Sequence, residues 1–262
     1  MTRSQRTTRA TQTDDWLAAF PDFLGAQTPA TTLRDFRESA LRQFEEQGLP
    51  HRKMEAWRHT PLRALEKSGP FQPTLTILEP DRSAEWGDRP ERELDWPQAV
   101  FVDGQLDQAR SSLQADKTGL VFSDFEEALT DTVTRPILLD RLGQLADSKT
   151  DAFTALSSAY MQGGTFVRIP KNSKLDSPIR FLFMWTEQGT LRCPRTLVLA
   201  EPGSHATVLV EHISSSTSNS LINGVTELFV EENAQLDWVV VEHLADRALR
   251  VSNLQAQIGF IR

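Results

Sequence analysis

Few residues of this 262-residue chain have the types and spacing to do chemistry. Its one cysteine, Cys193, stands in Arg192-Cys193-Pro194-Arg195. Flanking arginines lower a thiol pKa where they face it, but an incidental turn cysteine is the simpler reading of so short a cue. No disulfide can close within the chain, and a reducing compartment is the expectation. Two Glu-His dipeptides, Glu211-His212 and Glu242-His243, recur 31 residues apart. Two imidazoles and two carboxylates drawn together would suit a transition metal. No recognised ligand spacing supports that, and at a shift of 30 residues His212 falls on Glu242, which points to a plain hydrogen bond. His51, His59 and His205 have no convergent partners in sequence. Phosphate-binding GxxxxGK[ST] loops, GxGxxG turns and GxSxG elbows are all missing from the sequence. We therefore assign no catalytic, cofactor-binding or metal residue and expect no enzyme activity.

The elements that must position these residues belong to an ordinary globular chain. Hydrophobic residues make up 39% and charged residues 24%, which argues against wholesale disorder. The formal charge of −8 gives no basic face for a nucleic acid. No run reaches the roughly 18 to 20 apolar residues that span a bilayer, and no apolar signal core follows the N-terminus. A cytoplasmic protein without nucleic-acid or membrane partners is the expectation. Residues 1–13 carry Arg3, Arg6 and Arg9 and no acid, the composition of a disordered basic tail.

Residues 14–162 read as an α-helical N-terminal domain with short strands. A short capped helix begins near Asp14, with Pro21 disturbing it. In the next helix Leu33, Phe36, Ala40 and Phe44 share one face, and Gly48 and Pro50 stop it. Five prolines from Pro70 to Pro97 suggest a surface connection with one strand near Leu75–Leu78. The run from Ala99 to Val102 followed by Asp103-Gly104 reads as strand and tight turn. Ser123 is expected to cap a helix, Pro136 to sit in the first turn of another, and Asp151 to open a third.

After Gly164 helical spacing gives way to short β-rich runs. Shifting the sequence by 30 places Thr196, Val198 and Ala200 on Thr226, Leu228 and Val230, then on Ala256, Ile258 and Phe260. It also places Ala206, Val208 and Val210 on Leu236, Trp238 and Val240. Every second position is mostly apolar, so one set faces inward and the other outward. Gly203 and Asn233, both tolerant of positive φ, align in the turns. A fixed period of this kind signals stacked units. The expected fold is mainly β with an α-rich N-terminal domain, residues 163–262 forming the first coils of a right-handed parallel β-helix. An antiparallel sandwich is the competing fold, although it would not require columns to match at 30. Phe166 and Ile169 break the parity, so the first coil must slip. The last run stops inside the third copy, and we expect either further coils or a partner to cover that edge.

The segment Gly48-Leu49-Pro50-His51-Arg52-Lys53-Met54-Glu55-Ala56-Trp57-Arg58-His59-Thr60-Pro61-Leu62 resembles the G-L-P-x-R-K-x-E-x-W-[KR]-[YH]-T-P-L signature of SufD-type proteins of the SufB/SufD family. Residues 100–104, 153–179, 194–198 and 223–227 are similar to the same family. The resemblance runs from about Leu33 onward. It implies a non-catalytic subunit of a SufBCD-type scaffold complex for iron–sulfur cluster assembly, partnered by a SufB-type paralogue and a SufC-type ATPase. The family's implicated Cys and His residues fall beyond Arg262, so none is carried over. A cluster is held by about four ligands, mostly thiolates. With Cys193 alone, this segment by itself binds no cofactor, and the complex would handle the cluster transiently. Two other classes remain open: a β-helix interaction module without a direct cluster role, and a carbohydrate-active β-helix enzyme. The latter needs an acidic cluster on one sheet, which the outward columns do not show.

Overall fold

The computed structural model describes residues 3–26, 31–60, 62–73, 96–113, 119–161 and 164–260. Helices α1 (Arg3–Ala26), α2 (Thr31–Gln47) and α3 (Arg63–Ser68) come first. The short strands β1 (Gln72–Pro73), β2 (Gln98–Val102), β3 (Gln105–Leu106) and β4 (Val121–Asp124) follow, and then α4 (Phe125–Thr130), α5 (Thr134–Arg141) and α6 (Ala152–Ala159). The rest is β: β5 (Thr165–Ile169), β6 (Ile179–Trp185), β7 (Gln188–Arg192), β8 (Arg195–Ala200), β9 (His205–Ser214), β10 (Asn219–Val230), β11 (Gln235–His243) and β12 (Leu249–Ile258). The strand expected near Leu75–Leu78 lies outside the described residues.

Strands β5 to β12 wind into a parallel β-solenoid of about three turns. One sheet stacks β5, β8, β10 and β12; the other stacks β2, β6, β9 and β11. Neighbours within each stack run parallel, which rejects the antiparallel sandwich. Only the edge strands β3 and β4 pair antiparallel. The 30-residue register holds where β10 lies on β8, with Leu228 opposite Val198, and where β11 lies on β9, with Trp238 opposite Val208. The expected slip of the first coil is present: Val167 sits opposite Val198. The third copy differs from expectation. Leu228 sits opposite Ala256 and Val230 opposite Ile258, a shift of 28. An even change keeps each side chain on its face, so the inward pattern survives although the partners move by two.

Between the sheets, Val167, Val198, Leu228, Phe181, Val208 and Val210 form one core. Burying such a side chain is worth about 1.5–3 kcal/mol. Strand β10 is long enough for its second half to lie on β8 and its first half on β7. The sequence reading omitted β7, which is five residues with Gly189 at positive φ.

The outward face of the first sheet is not solvent-facing as expected. Phe166, Leu197, Leu199 and Phe229 pack on Phe125, Ala128, Leu129 and Leu138 of α4 and α5. Beside them α1, α2 and α6 form a further core with Trp16, Phe44, Phe153 and Tyr160. The Trp16 indole donates to the Phe71 carbonyl at 2.7 Å. Helix α1 begins at Arg3, so the stretch expected as a disordered tail is helical. It contains neither Gly nor Pro, and nothing interrupts propagation from the anchored turns that follow. Pro21 lies within α1 rather than ending it, because buried Trp16, Phe20 and Phe23 hold both sides and offset the lost hydrogen bond. Asp124, not Ser123, caps α4 by accepting from Glu127 N, because it is the last residue of β4 and directly precedes the helix. Asp151 caps α6 as expected, and Pro136 sits in the first turn of α5.

One corner of the solenoid repeats a left-handed turn residue: Asn172 (φ 57°), Gly203 (φ 69°) and Asn233 (φ 57°). The Asn172 amide donates to the Pro202 carbonyl at 3.0 Å and the Gly203 amide to the Glu232 carbonyl at 2.9 Å, which ties successive corners together. A Cβ-branched side chain is disfavoured there by about 1–2 kcal/mol. Asn233→Val is expected to lose about that much stability in urea unfolding, with Asn233→Gly close to wild type.

Candidate functional site

Cys193 lies just before β8 in the core formed with Tyr160 and Leu156, and it is fully buried. Burial pushes its thiol far up, and nearby Arg192 offsets only part of this. Both flanking arginines are spent on carboxylates instead: Arg192 pairs with Glu187 and Arg195 with Glu227. The thiol is a packing group with no thiolate character at neutral pH.

The two Glu-His dipeptides stack in register, Glu242 opposite His212 as expected, yet the geometry separates their functions. His212 faces inward in a column with Phe183, its ring 4.9 Å from that ring and nearly coplanar. The Trp185 indole donates to His212 Nδ1 at 3.2 Å, so the expected bond to Glu242 is replaced by one from tryptophan. Glu242 pairs with Arg250 instead. Burial holds the imidazole well below its ordinary pKa, and the Arg250 charge adds to this. Glu211 points to the opposite face and meets Arg180 at 2.6 Å, both buried. His243 is exposed. His51, His59 and His205 contact, respectively, the Lys53 amide, Arg58 and Gln235. Among the described residues, no three His, Cys, Asp or Glu side chains lie close enough to hold a metal ion.

The sequence reading missed the most connected polar group. Glu227 on the outward face of β10 is completely buried. It pairs with Arg195 and accepts from three backbone amides of the α5–α6 connection: Gly143 at 3.0 Å, Leu145 at 3.0 Å and Ala146 at 3.1 Å. Arg195 also donates to Ser158 on α6 at 3.1 Å. One carboxylate thus ties the helical layer to the solenoid. Its column neighbour Leu197 is apolar, and this contrast was the available signal of a buried charge. Arg37 was likewise hidden on an apolar helix face, where it donates to the Met161 carbonyl at 3.0 Å.

The signature segment forms an ordered strap across the helical layer. Gly48 (φ 60°) ends α2, Leu49 is buried, and a 3-10 turn covers Glu55–Trp57. The Trp57 ring packs 5.3 Å from that of Phe153 and anchors the segment there. The charged side chains around it are exposed.

A helical layer docked on a parallel β-solenoid defines the class of fold. Family comparison is more specific. The model described as SufBD protein N-terminal region matches residues 22–181, and that described as SUF system FeS cluster assembly, SufBD core domain, matches residues 183–260. The chain belongs to the SufBD family. It is similar to an iron-sulfur cluster assembly SufBD family protein of Staphylococcus haemolyticus, 27% identical over 150 residues. Similar proteins of Staphylococcus epidermidis and Staphylococcus aureus are 26% and 27% identical over 153 and 150 residues. Each alignment covers 56% of this chain but only 31% of the relative.

Two outcomes follow from the site. Below the ordinary imidazole pKa of 6.5, the unfolded chain binds a proton that folded His212 refuses. Stability therefore falls with decreasing pH by about 1.4 kcal/mol per unit from this group, and is unaffected by it above that range. Urea titrations across that range are expected to show a shallower slope for His212→Gln. Glu227→Ala leaves Arg195 buried and unpaired, which costs about 3–5 kcal/mol. The double substitution R195M/E227L is expected to cost much less, and proteolysis of the α5–α6 connection should speed up in the single variant.

Proposed function

We propose that this chain is part of a SufD-type, non-catalytic subunit of a scaffold complex that assembles iron–sulfur clusters, working with a SufB-type paralogue and a SufC-type ATPase. The observation that carries this reading is the state of Cys193. An iron–sulfur cluster asks for about four ligands, mainly thiolates, and the one thiol here is buried and held protonated. Of the two Glu-His dipeptides, Glu211 and Glu242 are taken up by arginines and His212 by the core, while His243 is exposed. This part of the subunit then contributes architecture and contact surface, with the ligands supplied elsewhere in the complex. The signature from Gly48 to Leu62 favours the SufD-type within the family. A reducing, cytoplasmic setting agrees with a lone unpaired thiol, and no helix among the described residues is long and apolar enough to cross a membrane.

Co-expression of the tagged full-length protein with both partners is expected to yield a complex on affinity and size-exclusion chromatography. Anaerobic reconstitution with iron and sulfide should give visible cluster absorbance on the complex and none on this chain alone. Recovery of the tagged protein without either partner would count heavily against the proposal, as would a stable cluster on the isolated chain.

A further inference from the structure

The signature segment has a property that family membership does not explain. Residues 51–60 are all surface-exposed apart from half-buried Trp57. The strap is nevertheless ordered: Met54 N donates to the His51 carbonyl at 2.9 Å, Trp57 N to Met54 at 3.0 Å and Thr60 N to Trp57 at 3.2 Å. Leu49, Trp57 and Leu62 anchor it to one core. The side chains between these anchors are Arg52, Lys53, Arg58 and, just beyond, Arg63, with Glu55 as the one acid among them. Among the described residues, Arg58 alone of these four forms an ion pair, with Glu55 at 3.5 Å. Met54 stands 40% exposed among these charges.

The chain spends arginines differently elsewhere. Arg180, Arg192 and Arg195 are buried and neutralised by Glu211, Glu187 and Glu227. The strap fixes the backbone that carries these cations, on a chain of net charge −8, and three of the four have no ion-pair partner among the described residues. An ordered backbone lowers the ordering cost of association, and complementary charge sets both encounter rate and register. Arginine and methionine are also enriched in protein–protein interfaces. A nucleic acid is disfavoured because its dense line of phosphates is repelled by the acidic remainder far more than the few carboxylates of a short peptide segment are. A lipid surface is disfavoured because one exposed methionine offers little apolar area to insert.

We infer that the strap is the docking site for an acidic amphipathic segment of a partner protein. Carboxylates of the segment meet Arg52, Lys53, Arg58 and Arg63, and an apolar side chain of the segment meets Met54. This inference does not depend on which complex the chain joins. It is tested with the full chain and a fluorescent synthetic helix built from glutamate and leucine, by anisotropy at low and physiological salt. Wild type is expected to bind, more weakly as salt rises. The R52E/K53E/R58E variant should bind about tenfold more weakly or worse, and Met54→Ser should weaken binding at both salt concentrations. The control R42E/R135E/K149E reverses the same charge at exposed sites elsewhere and should bind as wild type does. Melting curves establish that the variants fold, and R52Q/K53Q serves if the triple reversal does not. Equal loss in strap and control variants, no binding by wild type, or tighter binding of duplex DNA or phosphatidylserine vesicles than of the peptide would overturn the inference.

Discussion

A strand inside a parallel stack can satisfy its backbone amides and carbonyls only through the strands above and below it. Coil length is therefore the constraint on which the rest of this molecule depends. The chain keeps to 30 residues where β8, β9, β10 and β11 stack and departs from it elsewhere: 31 between β5 and β8, 29 between β6 and β9, and 28 between β10 and β12. Odd departures would turn every side chain over if the strand itself absorbed them. They fall instead in the connections: the change from 31 to 29 lies between β5 and β6, and that from 29 to 30 between β6 and β8. The inward columns therefore stay mostly apolar, with Val167, Val198 and Leu228 in line behind a column of Thr165, Thr196 and Thr226, and ionisable side chains enter at His212 and Glu242.

The two outward faces resolve the same problem differently. A sheet covered on both sides needs apolar residues at successive positions rather than at alternate ones, and β8 shows this with Leu197, Val198 and Leu199 all buried. The helical layer supplies the cover. Apolar contact alone is non-directional, so it would allow that layer to slide. The buried Glu227, fixed by Arg195 and three amides, admits one position only. A buried pair of this kind adds little net stability over an apolar replacement; here it sets alignment between the two layers.

What was legible in the sequence was what repeats. Period-2 patterning and the 30-residue column match gave the strands, their direction and the turn residues Gly203 and Asn233. Local signals gave Asp151 as a cap and Asp103-Gly104 as a hairpin turn. What remained hidden depends on contacts between residues distant in sequence. Glu227 looked like a solvated outward residue because nothing local marks the helix that covers it. Cys193 read as an incidental turn cysteine, and its depth in the core was not visible; the arginines beside it each have their own carboxylate. The shift to 28 in the last coil left the face pattern intact, so no hydropathy signal betrayed it.

Charge placement connects the architecture to function. The buried ion pairs cancel internally, so the net charge of −8 is a property of the surface. The strap carries four cations and one carboxylate, a local +3 that leaves −11 for the rest of the chain. A surface so divided has a direction: it repels acidic partners over most of its area and attracts them at one ordered place. The interior thiol is protonated and the interior imidazole of His212 already accepts a hydrogen bond, while the cations of the strap stand at the surface on a segment that the helical core anchors.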